Sequence, residues 1–438
     1  MRRLTLPHHV RRWAIRNARV PVSVLDGDVA AAGPDGLGGV NLIVSGDRIE
    51  AIGKSLDLGA ELPFLEAAGR ILLPSPVDAH THLDKGHITA RAENPDGTRD
   101  GALAMVAADR NAHWNSADVR ARMEFSLRCA YAHGTAAIRT HIDSLGPQIR
   151  ISWPVYAELR DAWRDRIELQ ASPLFGIDAA LDDAHMRDVE DMVGQFGSIL
   201  GAVTYPGAAL RPGLQRLFRV ASQNGYDLDF HVDETGEPEV NTLAAIAETA
   251  LDHKFEGRIL TGHCCSLSVM PDSERERTID LVARAGIAVV SLPMCNMYLQ
   301  GRGEGTPRWR GTTAYKELEA AGVAVMIASD NTRDPFYAYG DLDMAEVWRE
   351  GTRILHLDHP FGAWAKSITA TPADVLGFGD RGRLGPGRPA DFILFQARRM
   401  TELMARPGHD RIVVRRGRPV DVPAPAYAEL DHLEGLRP

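Results

Sequence analysis

Between residues 71 and 379 the chain alternates apolar, strand-like runs with amphipathic, helix-like ones, and this alternation restricts its fold more than any other feature. The strand-like runs are 71–82, 135–143, 167–174, 199–206, 227–234, 258–264, 288–294 and 323–330, eight in all. Most are near-continuously apolar, as strands buried on both faces of a parallel sheet are. The runs between them, among them 117–132, 241–254, 274–285 and 313–321, carry apolar residues at i, i+3 and i+4. That spacing draws one helical face. Gly134, Gly225, Gly257, Gly286 and Gly322 follow such runs, where a helix is expected to stop. Eight strand–helix units in roughly 300 residues fit an α/β fold of the (β/α)8 TIM-type barrel kind. The competing arrangement is a doubly wound open sheet. No Gly-x-Gly-x-x-Gly turn follows the first strand, which weighs against it.

Both ends of the chain have a different texture. Short β segments at 13–20, 40–44 and 48–52 are separated by Gly, Asp and Pro, and similar segments return at 390–395 and 411–420. Each end is too short to build a sheet core alone. The expectation is one small β-sandwich domain composed of residues 1–70 and 380–438, beside a catalytic barrel of 71–379.

Charge and composition remove several function classes. A net charge of −10 argues against a nucleic-acid surface, which needs a basic stripe. Arg2, Arg3, Arg11 and Arg12 are not followed by the apolar core of a signal peptide. No apolar run approaches the roughly 18 residues of a membrane span. Cys129, Cys264, Cys265 and Cys295 include no Cys-x-x-Cys pair. They read as buried small hydrophobes in a reduced, cytoplasmic setting. The expected partner is a small molecule, with no nucleic acid and no membrane, and a homo-oligomer is compatible with the sequence.

In a parallel barrel the chemistry sits at the C-terminal ends of the strands. Five of the eight runs carry His or a carboxylate there: His80 and His82, His141 and Asp143, His231 with Asp233 and Glu234, His263, and Asp330. His80 and His82 stand at i and i+2, so in an extended segment they share one side. Imidazole suits Zn, Fe, Cu or Ni. His80, His82, His231 and Asp330 supply three imidazoles and a carboxylate, which leave a position for water on one divalent metal ion. Glu234, just past the fifth strand, is placed to move a proton as base and then acid. His263 is available to orient or polarise the attacked centre. Asp330 is expected both to bind the metal and to hold the attacking oxygen. The fourth run, 199–206, contains no Lys to bridge a second metal, so a mononuclear site is favoured. There is no His-x-Glu…Pro-Cys-x-x-Cys pattern, so the cysteine-ligated deaminase design is absent.

With these motifs in place the chain resembles the amidohydrolase superfamily and, within it, the cytosine deaminase group. The resemblance rests on Pro76-Val-Asp-Ala-His-Thr-His-Leu-Asp84, Arg139-Thr-His-Ile-Asp143, His231-Val-Asp-Glu234, His263 and Ser329-Asp330. Pro293-Met-Cys-Asn-Met-Tyr-Leu-Gln-Gly-Arg302, Arg310-Gly-Thr-Thr and Leu384-Gly-Pro-Gly-Arg-Pro-Ala-Asp-Phe-Ile extend it over nearly the whole chain. It implies an Fe or Zn ion on His80, His82, His231 and Asp330, with Glu234 as proton shuttle and His263 beside the hydrolytic water. It also implies the reaction: hydroxide adds to the C–NH2 carbon of a cytosine-like or isocytosine-like heterocycle and ammonia leaves.

Two positions depart from that group. Leu174 stands where the group has a Gln that hydrogen-bonds the pyrimidine, and Leu cannot donate or accept. Asn331 stands where the group has a second Asp. The run Ser329-Asp-Asn-Thr-Arg-Asp-Pro-Phe336 is similar to that of relatives which remove alkylamines from triazine rings. Leu174, Asn331 and Gln300 are therefore the expected substrate contacts, and Trp309 is a further candidate. Triazine dealkylamination or opening of a cyclic amide is the second reading. A catalytically silent binding barrel is the third, and the intact set of metal-competent residues argues against it.

Overall fold

The computed structural model describes residues 10–434 except 28, 32, 60, 198, 304 and 407–409, so Arg2 and Arg3 lie outside the described residues. The chain forms two compact units. One comprises Met1–Asp78, Arg128–Ala137 and Asp343–Ala424, and the other Ala79–Leu127, Ile138–Leu342 and Pro425–Pro438.

In the first unit β1 (Arg12–Pro21), β2 (Leu37–Ser45), β3 (Arg48–Gly53) and β4 (Phe64–Glu66) make a sheet of order β3-β2-β1-β4. β1 and β2 run antiparallel with Trp13 opposite Val44 and Ile15 opposite Leu42, all four side chains buried. The register shifts between Ile15 and Ala18, where Asn17 takes φ +54°. A bulge at that point re-aims the strand. The next strand, β5 (Leu72–Pro74), joins a different sheet, described below.

The eight strand-like runs of the middle of the chain each contain a strand. They are β6 (Val77–Thr81), β7 (Ala137–Asp143), β8 (Glu168–Leu174), β9 (Ile199–Thr204), β10 (Asp227–Val232), β11 (Ile259–His263), β12 (Ala288–Ser291) and β13 (Val325–Ile327). They form two sheets, β6-β7-β8 and β13-β12-β11-β10-β9, and neighbours in the second sheet are parallel. Isolated parallel bridges join Thr81 to Asp330 and Gly176 to Val203. The helices Ser116–His133, Thr242–His253, Asp272–Arg284 and Tyr315–Ala320 fall within the expected amphipathic runs or overlap them closely. Gly225 closes Leu210–Asn224 in the left-handed conformation, φ +70°. Thr242–His253 stops earlier than its glycine suggested, at Lys254, which itself takes φ +49°.

Two expectations need correction. The run 71–82 is not one strand: it breaks at Pro74-Ser75-Pro76, with β5 and β6 in separate sheets. Proline has no N–H for a ladder, so two of them one residue apart end one pairing before the next begins. The run 288–294 likewise ends as strand at Ser291, and Pro293–Leu299 is a helix with its proline in the first turn.

The chain returns to the first unit with β14 (Phe392–Phe395), β15 (Arg411–Arg415) and β16 (Arg418–Pro419). With β5 they make a second four-stranded sheet, β16-β15-β14-β5. Trp13 of β1 donates its indole N–H to the Gly417 carbonyl at 3.1 Å, and its ring lies 6.3 Å from that of Phe392. No helix among the described residues is long and apolar enough to cross a membrane. All four cysteines are buried and none is paired with another.

Candidate metal and catalytic site

Strand pleat explains the first half of the site. His80 is the fourth residue of β6 and His82 lies just beyond its end, so both rings leave the same side. His231, at the end of β10, meets them. Its Nε2 lies 3.1 Å from Nε2 of His80 and 3.3 Å from Nε2 of His82. Asp330 follows β13, and its Oδ1 is 3.2 Å from Nε2 of His82 and 3.6 Å from Nε2 of His80. The Asp330 backbone takes φ +62°, an uncommon conformation for an L-residue. It is held there by its N–H, which donates to the His80 carbonyl at 2.9 Å, and by Thr81 Oγ1, which donates to the Asp330 carbonyl at 2.7 Å. His263 and Asp233 also take positive φ at strand ends, +69° and +48°. Strain of this kind persists where the surroundings over-determine it.

The donor set fits a metal ion. Burial first, with nearby imidazoles and Lys85 adding, pulls His80, His82 and His231 well below 6.5, so their rings are neutral and offer lone pairs. Burial first, then the charge of Glu234, pushes Asp330 well above its ordinary range. Both Asp330 oxygens are buried and make no hydrogen bond among the described residues. A buried carboxylate without a partner is costly. A divalent cation supplies the missing counter-charge and inverts this electrostatic preference.

His141 adds a fifth donor that sequence reasoning noted at a strand end but did not assign. One donor atom each from His80, His82, His141 and His231 lie within 4.8 Å of one another, and His80, His263 and Asp330 do the same. His141 Nε2 lies 3.1 Å from Asp229 Oδ1, and Arg139 Nη1 donates to Asp229 Oδ2 at 3.0 Å. Asp229 therefore orients the imidazole, as carboxylates behind metal-site histidines do. The signal was present: Asp229 and His231 share a strand face, as do Arg139 and His141.

Beside the donors sit Glu234 and His263. Asn296 Nδ2 donates to Glu234 Oε1 at 3.2 Å and lies 2.9 Å from His263 Nδ1. Arg99 Nε donates to the other oxygen of Glu234 at 3.3 Å. Burial lowers the His263 pKa, although the Glu234 charge opposes it.

These groups open on a cavity of about 320 Å³. His82, His231, Glu234, His263, Asp330 and Asn331 line one part, while Leu103, Val106, Leu145, Leu174, Phe175 and Tyr205 contribute an apolar wall. Lys85 and Asp143 are also in the lining, paired at 2.8 Å, with Arg110 on the second Asp143 oxygen at 2.8 Å. Leu174 and Asn331 thus both reach the cavity. The Asn331 amide donates to Asp334 Oδ2 at 2.7 Å. Gln300 is not among the lining residues; its amide donates to the Glu234 carbonyl at 3.1 Å. Trp309 donates its indole N–H to Ser268 Oγ at 3.3 Å.

Residues 131–421 match the model of the amidohydrolase family. A pterin deaminase of Rhizobium rhizogenes (strain K84) is 50% identical over 432 residues, 98% of each chain. The N-isopropylammelide isopropyl amidohydrolase of Pseudomonas sp. (strain ADP) is 24% identical over 371 residues, 81% of this chain and 86% of that one. Among solved structures, 5-methylcytosine deaminase from Klebsiella pneumoniae superposes with a TM-score of 0.81 at 23% identity, over 93% of this chain and 97% of that one. Likeness at that identity speaks to the fold, which such neighbours imply to be a TIM-type barrel. Family model, full-length relative and fold agree: the chain belongs to the amidohydrolase family.

Proposed function

We propose that the protein is a metal-dependent hydrolytic deaminase of a nitrogen heterocycle, and that this heterocycle is a pterin. The observation that carries the reading is the convergence of His80, His82, His231 and Asp330 in the cavity that Glu234 and His263 also line. The choice of substrate leans on the full-length relative named for pterin deamination. Chemistry connects this to the expected isocytosine-like substrate, because a pterin is an isocytosine ring fused to a pyrazine. The second ring adds apolar faces, which Leu174, Leu145 and Phe175 suit better than a hydrogen-bonding amide would.

A zinc or iron ion on His80, His82, His231 and Asp330 would supply Lewis acidity and lower the pKa of a water. The protein's own groups do the rest. Glu234 removes one proton from the hydrolytic water and gives it to the ring nitrogen, then carries the second, from the added hydroxyl, to the leaving amine. Water adds to the carbon bearing NH2, the C–N bond breaks, and the products are a ring carbonyl and ammonia. His263 donates to the oxygen as charge develops on it. Lys85, held by Asp143, stands in the wall as a cationic donor for a ring carbonyl.

The bridges Thr81–Asp330 and Gly176–Val203 support reading the eight strands as a closed barrel. The two sheets built from the chain ends support reading residues 1–70 and 380–438 as one small β-sandwich domain, with β5 (Leu72–Pro74) added to it, and the rest of 71–379 as the catalytic domain. The second functional reading, loss of an alkylamine from a triazine, is favoured by the relative of that activity, matched over 81% of the chain.

The test is product analysis with zinc- or iron-loaded protein on pterin, isocytosine, cytosine and N-isopropylammelide. Stoichiometric ammonia from pterin, at a kcat/KM at least tenfold above that for cytosine, is expected. Isopropylamine release without ammonia from any substrate would replace the first reading by the second.

A further inference from the structure

Glu234 and His263 are not independent, because one amide nitrogen touches both. Asn296 is fully buried on the short helix Pro293–Leu299, where its carbonyl accepts from Gln300 N–H at 2.9 Å. Its Nδ2 is 3.2 Å from Glu234 Oε1. An ionised carboxylate only accepts, so the NH2 end of the amide must face Glu234; the reverse orientation would set two oxygens against each other. The same nitrogen is 2.9 Å from His263 Nδ1. An NH2 group has two hydrogens and, with one on Glu234, the other points at Nδ1. His263 Nδ1 is therefore an acceptor and carries no proton. In a neutral imidazole the proton must then be on Nε2, which is buried and has no hydrogen-bond partner among the described residues.

We infer that Asn296 is a positioning residue that fixes the tautomer of His263 and holds Glu234 at the same time. Its importance lies in what it prevents. His263 Nδ1 is only 3.5 Å from Glu234 Oε1. Without the interposed amide, the imidazole would move its proton to Nδ1 and donate to the carboxylate. Nε2 would then be an acceptor, and the ring would no longer offer a donor to the oxygen that develops charge. The proton shuttle would be tied down by the same bond. Asn296 keeps the two groups apart while satisfying both.

The tautomer is a statement about the protein's own residues and holds whichever heterocycle is the substrate; only the kinetic consequence rests on the deaminase reading. Full-length, zinc-loaded protein with 15N-labelled histidine gives the first readout. Long-range proton–nitrogen correlation, with the His263 signals assigned by their loss in His263→Gln, distinguishes protonated from bare ring nitrogens. Wild type is expected to show Nε2 protonated and Nδ1 bare. Asn296→Asp, which keeps the volume but replaces the donor by an acceptor, should reverse that pattern, and Asn296→Ala should do the same. With metal content unchanged, kcat should fall about a hundredfold, as when one donor to a developing oxyanion is lost, and KM should move less than threefold. A wild-type His263 protonated on Nδ1 overturns the inference without any variant. So does a folded variant whose tautomer is reversed while kcat stays within threefold of wild type. Absence of turnover on every heterocycle would sink the proposed function, and the wild-type tautomer would still decide the role of Asn296.

Discussion

Replacing Glu234 by Gln separates proton transfer from metal binding. The side chain keeps its length, and the backbone carbonyl that accepts from Gln300 is untouched. Of the two donors on the carboxylate, Arg99 and Asn296, a neutral amide satisfies one through its oxygen and turns its NH2 towards the other. One charge-assisted hydrogen bond is lost. Arg99 is more than one-third exposed, so solvent screens much of this and the stability cost is about 1 kcal/mol. The kinetic cost is larger. A positioned acid–base group contributes roughly 10²–10⁴ in rate. Glu234 is read as serving water, ring nitrogen and amine in turn, so a fall in kcat of about 10³ is expected, equivalent to about 4 kcal/mol of barrier. The four metal-binding candidates do not include Glu234, so metal content should match wild type. The assay is ammonia release by coupled spectrophotometry on protein whose metal has been quantified by plasma emission. A kcat within tenfold of wild type, with metal retained, refutes the shuttle. Loss of metal instead would make Glu234 a ligand and refute the division of labour.

Asp330→Asn removes the buried carboxylate that has no hydrogen-bond partner, so the metal-free variant should melt at a higher temperature than metal-free wild type. The order should reverse with zinc present, and thermal scans with and without zinc check both signs. Leu174→Gln restores an amide to the cavity wall and should raise the cytosine-to-pterin ratio of kcat/KM by about tenfold in competition assays. Burial acts to raise the Asp343 carboxyl, but the charge and hydrogen bonds of Arg411 outweigh it and hold the group at about 2, below its ordinary 3.8. A depressed carboxyl contributes stability above 3.8 that is lost as pH falls through about 2. Asp343→Asn should therefore cost about 2–3 kcal/mol at neutral pH by urea unfolding, with the difference from wild type shrinking between pH 4 and pH 2.

The eight strands were readable because burial on both faces leaves a continuous apolar run, whatever the neighbours are. The cluster of candidate metal donors was readable for a related reason. His80 and His82 are linked by the period of a strand, and the others occupy the same end of theirs, so local pattern sufficed. It failed where tertiary pairing decides. Nothing within 71–82 says that Leu72–Pro74 will pair with Phe392–Phe395, more than 300 residues away, while Val77–Thr81 belongs to another sheet. The two prolines showed where a break was permitted, and only the distant strand made one necessary.

The least readable part of the site is the set of groups that lie behind the candidate ligands and the cavity lining. Asp229 and Asn296 do their work through a second side chain, His141 in one case and both Glu234 and His263 in the other. Such a role has no period and no composition. An Asn in Pro293-Met-Cys-Asn296 looks like any helix or loop residue until β11 and the helix after β12 are brought side by side. Yet the constraint it meets is strict, because its NH2 faces a group that can only accept and the same nitrogen decides where its neighbour's proton sits. Residues that bind the reactants can be guessed from what the chemistry requires. Those that hold such residues in the right protonation state become visible only once every hydrogen in the buried network has been given a place.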